Sequence, residues 1–348
     1  MFGRGFNEAI SLVLYYIDDE YRKTHPNLFP RNKPDVWLKA IRIAKENGLL
    51  YYFAKRVAEE EKVLRDPFEK IVEQEERNFI KLKQTLEFIN SLFGQEGFNF
   101  MFIKLYRSIP YTPRDVDILI RKEESHQVFM ALKRRNIKLK FNSVETHFEE
   151  KDLLKVDLYK GFHYLTLDFL DDEFLWKNPR TANICGIKCF IPSYEADFLS
   201  LIIHSLLGHR YLSLLDFLYA KLLLNSKLNF DEVLSQSKKY GWDSTLLMMI
   251  SIIKDIYQEL YLGANIAKPI NFPYVFPPGF ILKVFQGFSN MPISMEIKLP
   301  FIFSTLVDKV FHMYQILSMS TSLKVPDEAK DMLMKAVYKV RSWSGDYK

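Results

Sequence analysis

Two aspartates one residue apart lie inside the apolar segment RDVDILI, residues 114–120. In a β-strand, successive side chains alternate between two faces, so Asp115 and Asp117 point one way while Val116 and Ile118 point the other. Two carboxylates this close repel each other unless a cation or a shared proton resolves the repulsion. Mg²⁺ prefers carboxylates, waters and substrate phosphates as ligands. The pair is therefore a candidate magnesium site.

A third carboxylate lies in the segment LLKVDLYKG, residues 153–161, where Asp157 is on the face opposite the apolar residues. Three acids on neighbouring strands can hold two cations roughly 3.5 to 4 Å apart, which clamps the attacking and leaving oxygens in phosphoryl transfer. The structural alternative is that Arg114 pairs with Asp115 in a turn and Asp117 lies on a solvated edge. The residues alone leave both interpretations open.

The hydrophobic period changes twice along the chain, which predicts three regions. Residues 1–95 and 193–348 show the apolar spacing of helices, whereas residues 96–192 contain short segments rich in Ile, Val, Phe and Tyr. We therefore predict an α+β protein in which a small mixed β-sheet core is flanked by a helical N-terminal region and a helical C-terminal domain.

The core segments follow the order strand, strand, helix, strand, strand, and a hairpin completes the region. The hairpin turns near Gly186 and ends at Pro192, and Ser193 is a candidate N-cap for the helix that follows. The predicted strands are residues 98–106, 114–120, 137–142 and 153–161, the helix is residues 123–136, and the last two C-terminal helices are residues 295–320 and 326–343.

The bulk composition limits the class of protein. The 348 residues are 48% hydrophobic and 26% charged, which excludes a disordered chain and a disulfide scaffold. The formal charge of +5 permits an anionic partner without requiring one. Only Cys185 and Cys189 are present, no segment has the pattern of a signal peptide, and the apolar runs are too short for a bilayer. We expect a cytoplasmic protein with no membrane association.

The acidic segments together resemble a known superfamily. RDVDILI, followed by a helix and then by KVDLY at residues 155–159, is similar to the polymerase-beta-type nucleotidyltransferases, which carry an acidic pair on one strand and a third acid on a later one. Residues 111–114 before the acidic strand, and residues 186–195 leading into a helical domain, narrow the resemblance to the uncharacterised nucleotidyltransferase group. The resemblance covers about residues 98–225.

The resemblance implies a two-metal mechanism that uses a nucleoside triphosphate (NTP) such as ATP. Asp115 and Asp117 would bind two Mg²⁺ ions, one of which also holds the triphosphate. Asp157 would complete the other ion's site and help to deprotonate an acceptor hydroxyl, which attacks the α-phosphate and expels pyrophosphate. A small molecule, a protein side chain and an RNA 3′ end are all open as acceptors.

One segment departs from the family pattern. These enzymes carry a glycine-rich turn before the acidic strand, whose backbone N–H groups hold the phosphates, whereas residues 103–108 contain no glycine. Lys104, Arg107, Ser108 and Arg114 are candidates to neutralise the phosphates by charge, or they are ordinary surface groups. If they do not bind phosphate, the chain is a weakened, nucleotidyltransferase-like binding or regulatory module, either antitoxin-like or RNA-associated.

The segment HSLLGHRYL supplies further candidates near the start of the C-terminal domain. In the family, a helix in this place borders the nucleotide cleft, so the resemblance implies that Arg210 or His209 reaches a base or a phosphate. The structural interpretation makes His204 a packed or half-buried histidine on an apolar helix and Asp216 a helix-surface or capping group.

A basic cluster at the end of the predicted core helix is the candidate nucleic-acid contact. Lys133, Arg134 and Arg135 are consecutive, and such a run can track a phosphate backbone. The alternative is a solvated helix end.

Overall fold

Helices within residues 4–96 and 194–261 precede and follow a β-sheet formed by residues 100–159. The computed structural model describes residues 4–26, 33–105, 109, 111–141, 146–161, 163–164, 167–205, 211–226, 228–261 and 294–296. The predicted α+β class is confirmed, because the described strands include a five-stranded mixed sheet.

Some helix ends of the N-terminal region carry residues that sequence rules assign to such positions. The Asp18 carboxylate accepts a hydrogen bond from the Glu20 amide at 2.9 Å, and Pro34 stands in the first turn of its helix, where its missing N–H costs nothing. Gly97 ends the longest helix in the left-handed conformation, with φ of 74°. The helices are α1 (Arg4–Ile17), α2 (Asp19–Thr24), α3 (Pro34–Glu46), α4 (Leu50–Glu60) and α5 (Arg65–Glu96), with a 3-10 turn at Lys62–Leu64.

The central sheet has the strand order β1-β2-β5-β4-β3. Its elements are β1 (Phe100–Ile103), β2 (Asp115–Ile120), α6 (Ser125–Arg134), β3 (Lys140–Phe141), β4 (Thr146–Phe148) and β5 (Lys155–Tyr159). β2 and β5 are parallel because α6 crosses between them, whereas the other neighbours are antiparallel. The mixed sheet was predicted; β4 was not, because three residues give too short a pattern to recognise.

The predicted hairpin is present and closes with a two-residue turn. Cys185 and Gly186 both have positive φ, 52° and 83°, which is the conformation that lets a two-residue turn follow the twist of the strands. The strands are β8 (Arg180–Ile184) and β9 (Ile187–Ile191), preceded by β6 (His163–Tyr164), β7 (Leu167–Asp168) and α7 (Asp172–Trp176).

The described residues 194–261 are mainly helical. The Ser193 hydroxyl accepts a hydrogen bond from the Ala196 amide at 3.2 Å, which confirms the predicted N-cap. The C-terminal elements are α8 (Tyr194–Ile203), β10 (Tyr211–Ser213), α9 (Leu214–Leu224), α10 (Phe230–Lys239), α11 (Asp243–Tyr261) and β11 (Ser294–Glu296). The helix predicted over residues 295–320 is wrong at its start, because Met295 lies in β11, paired with β10. The rest of that helix and residues 326–343 lie outside the described residues.

The sheet separates two hydrophobic clusters. Met101 and Leu119 face a large cluster shared by helices of both ends of the chain, whereas Phe102 and Ile118 face a smaller cluster that contains α5, α6 and the hairpin. Side chains two residues apart share a face, so Asp117 points in the same direction as Leu119. The acidic residues therefore face the side on which the N-terminal and C-terminal helices meet. None of the described helices combines the length and apolar composition that a bilayer span requires.

Candidate active site

The strand register brings the three predicted aspartates to one place. Asp117 lies directly opposite Asp157 in the parallel pair of β2 and β5, and Asp115 lies opposite Lys155. Side chains opposite each other on adjacent strands, or two residues apart on one strand, share a face. The carboxylates of Asp115, Asp117 and Asp157 thus line one wall of the same cavity. If the acidic strand had only a structural role, Asp157 would be expected to lie far from Asp115 and Asp117.

The cavity lies between the sheet and helices from both ends of the chain, and its volume is about 400 Å³, within the usual range of small-molecule sites. The sheet, the segment that leads into β2, the turn between α3 and α4, and the start of α9 all contribute lining residues. The lining residues include Glu46, Asn47, Gly48, Lys104, Tyr111, Thr112, Arg114, Asp115, Asp117, Lys155, Asp157, Tyr159, His204, Ser213 and Asp216.

Lys104 occupies the turn after β1, where the family carries glycine. Its backbone is left-handed, with φ of 58°, and Tyr111 donates a hydrogen bond to its carbonyl oxygen at 2.7 Å. Its Nζ lies 3.0 Å from Asp117 Oδ2 and donates to the Tyr159 hydroxyl at 3.2 Å, and it stands 4.6 Å from the centroid of the Tyr159 ring. The turn therefore keeps the backbone conformation that favours glycine but places a buried ammonium beside the acids.

The environment of Asp117 raises the pKa of its carboxyl group. Burial is the largest cause, and the charge of Asp115 acts in the same direction. The Lys104 ammonium and a hydrogen bond from the Tyr159 hydroxyl oppose the rise but do not cancel it. An additional cation beside Asp117 would stabilise its ionised carboxylate, because a nearby positive charge favours the charged form.

Asp157 is held by a second lysine. Lys155, two residues earlier on the same strand face, places its Nζ 2.8 Å from Asp157 Oδ1 and 3.0 Å from Oδ2. The Asp157 side chain is 4% exposed, whereas the Lys155 side chain is 33% exposed. Lys155 thus reaches the carboxylate from the solvent side, unlike Lys104.

The three aspartates supply the oxygen ligands that a hard cation prefers, although their side chains do not converge on a single cation position. In the described part of the chain, no three His, Cys, Asp or Glu side chains already converge as ligands of one metal ion. Ammonium groups from Lys104 and Lys155 hold two of the three carboxylates instead. Because Asp115, Asp117 and Asp157 offer only carboxylate oxygens on a common wall, their chemistry fits Mg²⁺.

The turn between α3 and α4 is a part of the cavity that sequence reasoning missed. The Asn47 amide donates to the Ile43 carbonyl at 2.8 Å, and its oxygen accepts from the backbone N–H of Leu214 at 2.9 Å. Gly48, with φ of 66°, accepts a hydrogen bond from the Thr112 amide at 2.7 Å. The Asn-Gly pair at a helix end was visible as a turn signal. Nothing local indicated that it would face the sheet.

Of the other residues that were predicted to bind phosphate, the structure describes one. Arg114 lines the cavity, and it donates to the Lys45 carbonyl at 2.7 Å rather than pairing with Asp115, as the structural alternative required. Arg107, Ser108 and Arg210 lie outside the described residues, as does His209.

The structure corrects the interpretation of Asp216. It is buried, with 4% exposure, and lines the cavity, so it is not a helix-surface group. It is not the cap of α9 either, because the Ser213 hydroxyl accepts the hydrogen bond from the Asp216 amide at 3.0 Å. Half-buried His204 lines the same cavity. Because α9 is mostly apolar and has no polar face, no sequence pattern indicated that Asp216 would line the cavity.

The basic cluster at the end of α6 is exposed and does not belong to the described lining of the cavity. Arg134 forms an ion pair with Glu96 at 2.7 Å, and Arg135 donates to the Gln95 side chain at 2.9 Å. Two of the three cations therefore already contact the end of α5. Nucleic-acid binding through Lys133, Arg134 and Arg135 stays a prediction.

Comparison with known proteins identifies the family. The model of a family described as uncharacterised nucleotidyltransferase matches residues 33–258, which extends well beyond the segment of the sequence resemblance and includes α3, α4 and α5. No curated protein matches the chain. Solved structures with some similarity are the lincosamide antibiotic adenylyltransferase LnuA with bound lincomycin, at 16% identity and a TM-score of 0.30, covering 41% of this chain and 96% of that one. The antibiotic-resistance factor ANT(2'')-Ia has 11% identity and a TM-score of 0.35, covering 47% and 93%. With its family match spanning more than half of its length, the chain belongs to the uncharacterised nucleotidyltransferase family.

Proposed function

We propose that the protein transfers a nucleoside monophosphate from an NTP, with ATP as the first candidate, to an acceptor hydroxyl in a Mg²⁺-dependent reaction. One observation carries the proposal: Asp117 faces Asp157 across parallel strands, with Asp115 on the same face, at the wall of a 400 Å³ cavity. Family membership supports nucleotidyl transfer in general. The acceptor and the cation are the specific parts of the proposal.

Asp115, Asp117 and Asp157 would hold the cation, of which the family resemblance leads us to expect two. Bound Mg²⁺ supplies neutralisation of the triphosphate and of the charge that develops at the α-phosphate. These carboxylates suit the role because they are close together on a rigid sheet and cannot move apart without breaking the pairing of β2 with β5.

The proposed reaction is an in-line displacement at phosphorus. The acceptor oxygen forms a bond to the α-phosphorus while the bond from that phosphorus to the pyrophosphate oxygen breaks, and pyrophosphate leaves with the bonding electrons. Asp157 accepts the proton of the acceptor hydroxyl, which requires Lys155 to release at least one of its oxygens. Arg114 at the cavity wall, with Arg107, Ser108 and Arg210, is proposed to bind phosphate.

The acceptor would contact the lining residues outside the sheet. His204 and Asp216 are among them and carry an imidazole and a carboxylate. The cavity volume is typical of sites for small molecules, so a small-molecule acceptor is favoured over a macromolecular chain. We also propose a cytoplasmic location, since both cysteines are free thiols.

The test is transfer of label from each α-³²P-labelled NTP with Mg²⁺, together with calorimetry of metal-nucleotide binding. The Asp115→Asn/Asp117→Asn variant should lose transfer by at least about a hundredfold, because it lacks charge where the transition state needs cations. Glu149→Gln is the matched control, since Glu149 pairs with Lys140 on the exposed surface and should leave transfer unchanged. Failure of the wild type to bind any metal-nucleotide, or equal transfer by the double variant, would contradict the proposal.

The second candidate is a nucleotidyltransferase-like binding or regulatory module. Its support is the missing glycine turn and the two lysines that already neutralise Asp117 and Asp157. This candidate predicts that the protein binds without turnover: label stays on the NTP even when calorimetry records binding.

A further inference from the structure

The two lysines of the acidic wall differ in how firmly they are held. A two-metal site needs a shared carboxylate whose two oxygens are both available, one for each ion. In this chain, Asp117 Oδ2 is already 3.0 Å from the Lys104 ammonium. The number of cations that the site can take therefore depends on whether Lys104 can leave.

Lys104 is fixed at several points. Its side chain is 6% exposed, and its Nζ contacts the Tyr159 hydroxyl and the face of the same ring as well as Asp117. Tyr111 holds its carbonyl oxygen. Withdrawal of the ammonium would leave a lysine and an aspartate both buried without their charge partner, which is among the costliest changes in a protein interior.

The backbone of Lys104 points to the same conclusion. A φ of 58° is unstrained for glycine. Any residue that has a Cβ atom adopts this conformation at a cost in free energy. Strained residues are kept when the surrounding structure requires the particular side chain, and they concentrate at functional sites. The lysine side chain at this position is thus the feature that offsets the strain of the turn.

Lys155 is held far less firmly. A third of its side chain is exposed, so water can solvate its ammonium when it leaves Asp157, whereas the Lys104 ammonium is buried. A divalent cation that approaches Asp157 would displace it. Displacement of Lys155 would remove its ammonium from Asp157, and Asp115 lies opposite Lys155 on the neighbouring strand.

We propose that the acidic site binds one divalent cation per chain instead of two, with the Lys104 ammonium as a permanent occupant of the second cation position. The cation would displace Lys155 and bind Asp115, Asp157 and the remaining oxygen of Asp117. Lys104 is a positioning residue in this scheme, because it acts on Asp117. The inference rests on the proposed function, since it assumes that the acids bind a metal ion.

The experiment uses Mn²⁺ as the probe, with and without each of the four α,β-methylene nucleoside triphosphates, on the full chain. Calorimetry counts the ions that the protein binds, and electron paramagnetic resonance distinguishes an isolated Mn²⁺ from two coupled ions roughly 3.5 to 4 Å apart. The wild type should bind one ion per chain and show no coupled spectrum.

Two variants separate the roles of the lysines. Lys104→Gly restores the glycine that the left-handed turn favours and removes the fixed ammonium, so it should bind two Mn²⁺ ions and show the coupled spectrum. Lys155→Thr removes the displaceable ammonium, so it should still bind one ion, with at least severalfold higher affinity. Lys104→Asn, which also tolerates positive φ, replaces Lys104→Gly if circular dichroism shows that the glycine variant is unfolded.

The outcomes are distinct. Two coupled ions in the wild type would overturn the inference and leave the proposed function intact. A single ion in both Lys104 variants would also overturn it, because the lysine would not be what limits the stoichiometry. Absence of any bound Mn²⁺ in the wild type would contradict the proposed function itself.

Discussion

A lysine, an aspartate and a tyrosine contact one another at two separate places in this protein. In the cavity, Lys104 contacts Asp117, donates to the Tyr159 hydroxyl at 3.2 Å and stands over the Tyr159 ring. Among the helices, Lys221 of α9 contacts Asp18, donates to the Tyr261 hydroxyl at 3.2 Å and stands 4.3 Å from that ring's centroid. In both, the tyrosine hydroxyl also donates to the aspartate.

The difference between the two triads is what surrounds them. Lys221 also pairs with Glu20 at 3.1 Å, and Tyr257 donates to that carboxylate at 2.7 Å, so the helical triad joins α2, α9 and α11. The cavity triad lies beside further carboxylates, on a left-handed turn, at a wall open to ligands. The same three residue types therefore join helices in one place and line a cavity in the other.

The largest expected effect is on the helical triad. Lys221→Met would remove the buried ammonium from beside the partly buried Asp18, and loss of one partner of a largely buried pair costs about 3–5 kcal/mol. Urea unfolding should show this loss, while Mn²⁺ binding at the cavity should not change. The matched control is Lys239→Met, which breaks an exposed pair with Asp171 and should cost less than about 1 kcal/mol. Equal losses in both variants would contradict the assigned role of Lys221.

The next effect compares the two tyrosine hydroxyls directly. Tyr261→Phe and Tyr159→Phe each remove one hydroxyl between a lysine and an aspartate, and each should cost roughly 1.5–3 kcal/mol of unfolding free energy because the partners are charged. Only Tyr159→Phe should also change the Mn²⁺ affinity, since only its aspartate belongs to the metal site. A change of Mn²⁺ affinity in Tyr261→Phe would show that the two regions are coupled.

A smaller effect concerns the contact that closes the cavity. Asn47→Ala would leave the backbone N–H of Leu214 buried without its acceptor, at a cost of about 1–3 kcal/mol. Urea unfolding measures this cost, and Asn78→Ala is the control because its hydrogen bond to Glu75 lies on one helix. If Asn47→Ala unfolds at the same urea concentration as Asn78→Ala, the α3–α9 contact does not stabilise the fold.

Much of the sheet could be predicted from the sequence because its signals are local. Alternation placed Asp115 and Asp117 on one face, and Asp157 was predicted to lie on a neighbouring strand of a mixed sheet. The hairpin turn at Gly186 and the N-cap at Ser193 depend on only a few consecutive residues each. Such signals survive folding because the backbone geometry that they specify is the same in any tertiary context.

The cavity walls could not be predicted in the same way. Asn47 bonds to Leu214, 167 residues later, and no local pattern encodes that contact. Asp216 lies in an apolar helix without a polar face, so its burial toward the cavity depended on how α9 packs. The match of the family to residues 33–258 agrees with a wall built partly from the N-terminal helices.

The sequence by itself determined which residues can carry charge and which strand face holds them, because side-chain alternation is fixed by backbone geometry. Only the tertiary structure decided how those charges are neutralised. Lys104 and Tyr159 are 55 residues apart, and they meet at Asp117 because the antiparallel pairing of β1 with β2 and the parallel pairing of β2 with β5 bring three chain segments together. The sequence thus specified an acidic strand, and packing placed a buried lysine ammonium 3.0 Å from one of its aspartates.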